Sequence, residues 1–74
     1  MTQFTLENNI TLTESREVAN DLDLYENETA YIVEQGGVTK GTITEWSNGK
    51  KDYYDYKTEK DYPLEDIEEI VDIL

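Results

Sequence analysis

The sequence contains no cysteine and no histidine. Without cysteine there is neither a disulfide framework nor a thiolate metal site, which fits a reducing compartment. Without histidine the chain lacks the commonest general base and the commonest metal ligand. No nucleophile elbow occurs, and Gly36-Gly37 is not followed by the Gly-Lys-Ser/Thr of a phosphate-binding loop. We therefore expect no enzymatic activity, no cofactor and no specific metal site.

Long apolar runs are also absent. No stretch approaches the roughly 20 apolar residues of a membrane span, and the first ten residues lack the basic and apolar regions of a signal peptide. Apolar residues still make up 36% of the 74 residues, and eight residues are aromatic. This composition favours a folded chain over a disordered one. We expect a single cytoplasmic domain that spans residues 1–74.

Basic residues are scarce and confined to one part of the chain. Six lysines and arginines stand against eighteen acidic residues, giving a net charge of −12. Residues 1–39 carry eight acidic residues and Arg16 alone, whereas residues 40–60 carry four acidic residues and five lysines. Residues 61–74 carry six acidic residues and no base. Such a charge repels nucleic acid and anionic membranes, and attracts basic protein surfaces.

Three segments in the middle of the chain predict an antiparallel meander. Residues 29–34, 38–46 and 51–58 are rich in β-branched and aromatic side chains, as strands are. Gly36-Gly37 and Asn48-Gly49 separate these segments, and both are typical of hairpin turns. Residues 4–6 and 10–12 alternate in a similar way, which leaves open a small extra strand or a hairpin.

Two helices are predicted to flank this meander. Thr13 is a candidate N-cap for a helix that ends near Leu24, with Val18, Leu22 and Tyr25 on its apolar face. Pro63 suits the first turn of the last helix. The apolar stripe of that helix comprises Leu64, Ile67, Ile70, Val71 and Leu74. We expect an α+β fold in which a three- to four-stranded antiparallel sheet carries both helices on one face, in the order α-β-β-β-α.

The hairpin at Asn48-Gly49 allows two registers. A two-residue loop places Glu45 opposite Asp52, which is an unfavourable pair of like charges. A three-residue loop, residues 47–49, places Glu45 opposite Lys51 and is therefore favoured. Because a shift of one residue exchanges the two faces of a strand, the tyrosines of the third strand are left unassigned.

The acidic residues concentrate on ordered segments of the predicted fold. Carboxylates three or four residues apart on a helix lie about 5–6 Å from one another, a spacing comparable to that of neighbouring phosphates on a nucleic-acid strand. A net charge of −12 also exceeds the magnitude of about 2–8 that keeps a small domain soluble. The candidate partner-binding residues are Glu65, Asp66, Glu68, Glu69 and Asp72 in the last helix, Glu14, Glu17, Asp21, Asp23, Glu26 and Glu28 in and after the first, and Trp46 as an aromatic anchor.

In its small size, negative charge and lack of cysteine, the chain resembles a functional class of phage proteins that inhibit host defence or DNA-handling enzymes. The class includes DNA mimics among the anti-CRISPR proteins, the anti-restriction proteins and the uracil-DNA glycosylase inhibitors. The resemblance implies a protein of an infected bacterial cell whose partner is a basic nucleic-acid-binding protein. No motif of a single family is matched residue by residue, so the resemblance implies no particular topology.

Two functions are therefore expected from the sequence. The first is a non-enzymatic inhibitor that mimics DNA phosphates on the basic surface of a host protein. A CRISPR effector is the preferred target, because its channel is basic and it reads a short DNA motif with arginines; restriction and repair enzymes are others. The second is a small interaction or regulatory module that acts through the aromatic face or an edge strand of its sheet, with the acidic residues serving solubility only.

Overall fold

Six strands form one antiparallel sheet in which each strand pairs with its neighbours in sequence. A computed structural model describes residues 2–74 of the chain. The strands are β1 (Gln3–Thr5), β2 (Ile10–Glu14), β3 (Thr29–Gln35), β4 (Val38–Glu45), β5 (Lys51–Asp55) and β6 (Lys60–Leu64). Helix α1 (Arg16–Asp21) connects β2 to β3, and helix α2 (Ile70–Ile73) follows a 3-10 turn at Ile67–Glu69. A second 3-10 turn, Glu7–Asn9, connects β1 to β2.

The predicted α+β fold, with three to four strands and two helices on one face, is wrong. The sheet has six strands, and the helices contain only six and four residues. The three strands of the predicted meander are present as β3, β4 and β5, and the N-terminal segments form the β1–β2 hairpin. No helix within residues 2–74 combines the length and the apolar character that crossing a membrane requires.

Alternation along the strands gives the sheet two different faces. The first face carries the hydrophobic core, to which β2 contributes Ile10 and Leu12, and β3 contributes Tyr31 and Val33. Ile43, Tyr53 and Leu64 complete the part of the core that the later strands supply. Because neighbouring residues of a strand point to opposite faces, Ala30, Thr42 and Thr44 lie on the second face.

The C-terminal segment covers the first face. Ile70 of α2 is fully buried in the core, and Ile67, Val71 and Leu74 pack against it. The apolar stripe predicted for this segment is therefore confirmed, although the continuous helix predicted from Pro63 to Leu74 is wrong. Residues 60–64 are extended instead and leave only a 3-10 turn and α2 after them.

Helix α1 begins later and ends earlier than predicted. Thr13 is not its N-cap, because it lies in β2 opposite Ile32. Ser15 is the N-cap, and its hydroxyl accepts a hydrogen bond from the Val18 N–H at 3.2 Å. Ala19 is the buried residue of this helix, which packs on β3. Leu22 and Tyr25, predicted to face the core, are 48% and 74% exposed.

Pro63 lies in the edge strand β6 and does not begin a helix. Next to β5, the Lys50 carbonyl accepts from the Trp46 N–H and the Tyr56 N–H donates to the Lys40 carbonyl of β4. The backbone groups of the even-numbered residues of β5 therefore face β4, and those of the odd-numbered residues face β6. The partners of those odd-numbered residues are Lys60, Tyr62 and Leu64. Pro63 and Asp61 thus have their backbone groups on the outer side of the edge, where a missing N–H breaks no pairing.

The β4–β5 hairpin has the register that its charges predict. Glu45 lies opposite Lys51, and the Trp46 N–H donates to the Lys50 carbonyl at 2.9 Å. This leaves a three-residue loop, residues 47–49, with Gly49 at a φ of +89°. The register also settles the orientation of the tyrosines, because Tyr53 is fully buried on the first face and Tyr54 lies on the second.

Gly41 lies where β4 departs from regular pairing. Val33 pairs with Gly41 and Glu34 pairs with Thr39, so Lys40 is an extra residue in β4. The Lys40 carbonyl accepts a hydrogen bond from the Tyr53 hydroxyl at 3.1 Å. A Cβ atom on Gly41 would lie 1.9 Å from the Tyr54 carbonyl oxygen and 2.8 Å from Cε1 of Tyr53. No other residue type fits this position without movement of β5.

Candidate functional site

The carboxylates of the C-terminal segment divide into two groups. Asp66 is the N-cap of the 3-10 turn and accepts a hydrogen bond from the Glu68 N–H at 3.2 Å, whereas the half-buried Glu69 accepts one from the Glu65 N–H at 3.2 Å. These two side chains stabilise the local backbone. Glu65, Glu68 and Asp72 are exposed. They are the predicted residues of this segment that remain available to a partner.

Glu7 joins this segment although it is more than sixty residues away in sequence. A surface groove lies between the 3-10 turn after β1 and helix α2, and it is lined by Thr5, Leu6, Glu7, Glu68, Val71 and Asp72. We call Glu7, Glu68 and Asp72 the C-terminal acidic surface. Glu7 was not predicted as a site residue, because no local pattern connects it to residues 68 and 72.

The predicted residues of α1 and the following loop form a second acidic area. Glu17, Asp21, Asp23 and Glu26 are all exposed, and we call them the α1 acidic surface. Arg16 is the only base in this half of the chain, and its guanidinium donates to the carbonyls of Tyr25, Glu26 and Glu28 at 3.3 Å each. Arg16 therefore holds the loop after α1 in place through carbonyls, and its hydrogen bonds leave these four carboxylates uncompensated.

The two acidic surfaces lie on opposite faces of the sheet. Helix α2 inserts Ile70 into the core on the first face. Helix α1 packs on β3 on the second face, where Leu22 after the helix lies beside Thr42 and Thr44. The two acidic segments are thus separate surfaces, and a flat partner contacts one of them at a time.

Glu28 is buried, so it is not available as a surface phosphate substitute. Its Oε1 accepts a hydrogen bond from the Tyr25 N–H at 3.0 Å, and its Oε2 accepts one from the Ser47 N–H at 3.0 Å. The carboxylate therefore ties the loop after α1 to the β4–β5 hairpin. These backbone donors, Tyr25 first, lower the pKa of Glu28 below the ordinary value of 4.5.

We expect Glu28→Gln to lower the melting temperature by several degrees at pH 7. A carboxamide keeps one acceptor oxygen but turns an NH₂ group toward a backbone N–H, so one of the two bonds becomes a donor–donor contact. Because folding lowers the pKa of Glu28, its contribution is present above pH 4.5 and is lost as the pH falls through the folded-state pKa.

The measurement is the melting temperature of both proteins from pH 7 to pH 3. The difference in melting temperature between wild type and Glu28→Gln should become smaller as the pH falls. Glu26→Gln is the matched control, because Glu26 is exposed and two residues away. If the control lowers the melting temperature as much as Glu28→Gln does, the two backbone hydrogen bonds of Glu28 do not stabilise the fold.

Glu14 is a half-buried member of β2 and does not lie on a helix. It pairs with Tyr31, whose other neighbour across the sheet is Ile43. Burial raises the pKa of the Tyr31 hydroxyl, and the charges of Glu45 and Glu14 raise it further. The hydroxyl stays protonated at neutral pH, between two acidic side chains at one end of the first face.

Trp46 lines a groove on the second face. The residues of this Trp46 groove are Leu22, Thr42, Thr44, Trp46, Asp52, Tyr54 and Asp61. Trp46 and Tyr54 are half-buried, so part of each ring is available to a partner. Asp52 and Asp61 were not predicted as site residues, and Asp61 lies in β6, a strand that was not expected from the sequence. An aromatic groove with two carboxylates suits a basic side chain.

Within the described residues 2–74, no group of three or more acidic side chains is close enough together to hold a metal ion. The shifted pKa values belong to internal hydrogen bonds and burial, as at Glu28, Tyr31 and Asp55. The surface therefore offers charge and aromatic contacts to a partner. Comparison of the chain with protein-family models, curated proteins and solved structures finds no match.

Proposed function

We propose that this protein is a non-enzymatic inhibitor that occupies the basic nucleic-acid-binding surface of another protein, with its carboxylates in the places of phosphates. The observation that carries the proposal is the excess of uncompensated, ordered carboxylates. Eleven of the eighteen acidic residues are exposed, against four of the six basic residues. The one base outside residues 40–60, Arg16, is hydrogen-bonded to carbonyls.

The C-terminal acidic surface is the part that best fits a nucleic-acid site. Glu68 and Asp72 are four residues apart in a segment fixed to the core by Ile70, and Glu7 approaches them from the sheet. Carboxylates on a fixed backbone keep their spacing when a partner binds, whereas those on a mobile tail lose entropy on ordering. The resemblance to phage inhibitors makes a CRISPR effector the preferred target.

The partner is identified by capture from a bacterial lysate at low salt, followed by elution with DNA or heparin. A nucleic-acid-binding protein released by DNA supports the proposal, because DNA and this chain then compete for one surface. Recovery of only non-basic proteins contradicts it. Electrostatic steering predicts that the association rate falls steeply with ionic strength.

Two triple variants with the same net charge locate the binding surface. We expect Glu7→Lys, Glu68→Lys and Asp72→Lys together to weaken binding of the captured partner on the order of 100-fold or more, because like charges then face each other. Glu17→Lys, Asp21→Lys and Glu26→Lys change the net charge equally on the other face and should weaken it far less. Binding that resists both triples and high salt would show that phosphate mimicry is wrong.

A second function is favoured by the Trp46 groove. In this alternative the protein is an interaction module that uses the second face, and its acidic residues serve solubility only. Leu22 is 48% exposed beside Trp46 and Tyr54, which makes a partly apolar surface. Leu22→Ser should then abolish partner binding while the lysine triples leave it intact. The same variant should leave binding unchanged if the carboxylates on the first face carry it.

A further inference from the structure

The edge of the sheet formed by β1 presents unpaired backbone groups. The Thr2 carbonyl accepts from the Glu14 N–H at 2.8 Å, and the Leu6 N–H donates to the Ile10 carbonyl at 2.7 Å. Phe4 pairs with Leu12 between them. Because inward and outward residues alternate along an antiparallel strand, the N–H and C=O groups of Gln3 and Thr5 point away from the sheet. Outside the strand pairings, no backbone hydrogen bond in residues 2–74 engages them.

The opposite edge, β6, is protected in a way that β1 is not. Its outward positions are Asp61 and Pro63, which supply a charge and remove a donor. Both features are common on strands that do not accept another strand. Residues 2–6 contain neither a charged residue nor a proline, and β1 is exposed along its whole length. The protein therefore has one blocked edge and one open edge.

We propose that the β1 edge accepts an extended basic segment of the partner as a seventh strand. The main-chain groups of Gln3 and Thr5 supply the pairing. Carboxylates stand at both ends of the edge, with Glu14 opposite Thr2 and the C-terminal acidic surface beside Thr5 and Leu6. This placement selects lysine or arginine near both ends of the added strand.

The centre of the added strand is selected by Phe4. Its ring is 38% exposed and lies 6.0 Å from the ring of Tyr31 on the first face. A residue directly opposite Phe4 forms a non-hydrogen-bonded pair, in which side chains approach most closely. An apolar residue fits there. The expected segment thus has an apolar centre, neutral residues on either side of it, and a basic residue two positions away in each direction.

A second copy of this chain fits the same edge poorly. Each copy has a net charge of −12. Antiparallel pairing of two β1 strands about Phe4 places Thr2 of one copy opposite Leu6 of the other. Glu14 of one copy then approaches Glu7 of the other, which is a repulsive contact. The charge of the edge therefore favours a basic partner over self-association.

This inference rests on the proposed function, and a synthetic peptide tests it separately. The probe is acetyl-Lys-Thr-Ile-Thr-Lys-amide, added at millimolar concentration to the ¹⁵N-labelled protein. We expect the amide signals of Gln3 and Thr5 to shift, and their hydrogen exchange to slow. The control peptide carries N-methyl groups on both threonines, so it keeps the charge and cannot donate to β1. It should bind at least tenfold more weakly.

A variant of the protein provides the reciprocal control. Gln3→Pro removes an outward N–H without removing a hydrogen bond to β2. It should weaken binding of the unmethylated peptide, whereas Gln3→Ala should leave that binding unchanged. Equal binding of both peptides, or no shift at Gln3 and Thr5, overturns strand addition. Equal, salt-sensitive binding still agrees with the proposed function. Binding of the captured partner to the two lysine triple variants is measured separately. That result tests the proposed function and does not test strand addition.

Discussion

Gly41→Ala should strongly lower the free energy of unfolding. The added Cβ would lie 1.9 Å from the Tyr54 carbonyl oxygen, a backbone atom of the paired strand that no rotamer change can move. Relief requires separation of β4 from β5 beside the fully buried Tyr53. We expect a loss of about 3–5 kcal/mol. Because small domains have only about 5–15 kcal/mol of stability in total, this loss is a large fraction of it.

The direction of the stability change distinguishes the close contact at Gly41 from the usual effect of replacing glycine with alanine. Where the backbone tolerates a side chain, Gly→Ala stabilises a protein by about 0.4–1 kcal/mol, because it restricts the unfolded chain. Thr39→Ala, at an exposed position of the same strand, is the control and should change stability little. Far-ultraviolet circular dichroism and urea titration measure both variants. A Gly41→Ala protein as stable as wild type would show that β4 and β5 are not this close.

Ile70→Ala should lower the free energy of unfolding by about 2–5 kcal/mol. Ile70 is fully buried and is the only residue after β6 that belongs to the buried core within residues 2–74. Its removal leaves a cavity between α2 and the first face of the sheet. The shortened side chain also releases the C-terminal segment, so Glu68 and Asp72 lose their fixed spacing. Affinity for a basic partner should fall together with stability.

Ile73→Ala is the matched control, because it makes the same chemical change in the same short helix. Ile73 is 37% exposed, so its truncation should cost about 1 kcal/mol or less. Urea titration gives the two free energies under identical conditions. Similar losses in the two variants would mean that α2 is not docked through Ile70, and would remove the rigid frame on which the C-terminal acidic surface depends.

The strands of the middle of the chain were predictable because their information is local. Hairpin turns carry strong residue preferences, and the pair of Glu45 with Lys51 distinguishes two registers that differ by a single residue. The apolar stripe of the C-terminal segment was also predictable. Its spacing marks the residues that face a core whether they lie in a long helix or, as here, in a strand, a 3-10 turn and a short helix.

The helix boundaries were mispredicted because residues with local preferences for a helix start are held in strands by pairing with neighbouring strands. Thr13 has the chemistry of an N-cap, but pairing with Ile32 keeps it in β2 and moves the cap to Ser15. Pro63 is common in the first turn of a helix and is equally acceptable on the outer side of an edge strand. Whether a strand forms there depends on β5, so the residues around Pro63 do not settle it.

The candidate site was predictable in composition but not in arrangement. The excess of acidic residues follows from the sequence. The burial of Glu28 does not, because Tyr25 and Ser47 converge on it from two separate turns. The approach of Glu7 to Glu68 and Asp72 likewise depends on the path of the C-terminal segment across the sheet. Long-range contacts of this kind leave no periodic pattern in a single sequence.

Asp61 and Pro63 also determine how far association through strands can extend. A filament grows by edge pairing only when every subunit has two acceptor edges, one for the preceding subunit and one for the next. This protein has a single open edge. Once a strand has been added to β1, no edge remains for another subunit. Any complex formed through β1 should therefore have a fixed, small stoichiometry at all concentrations.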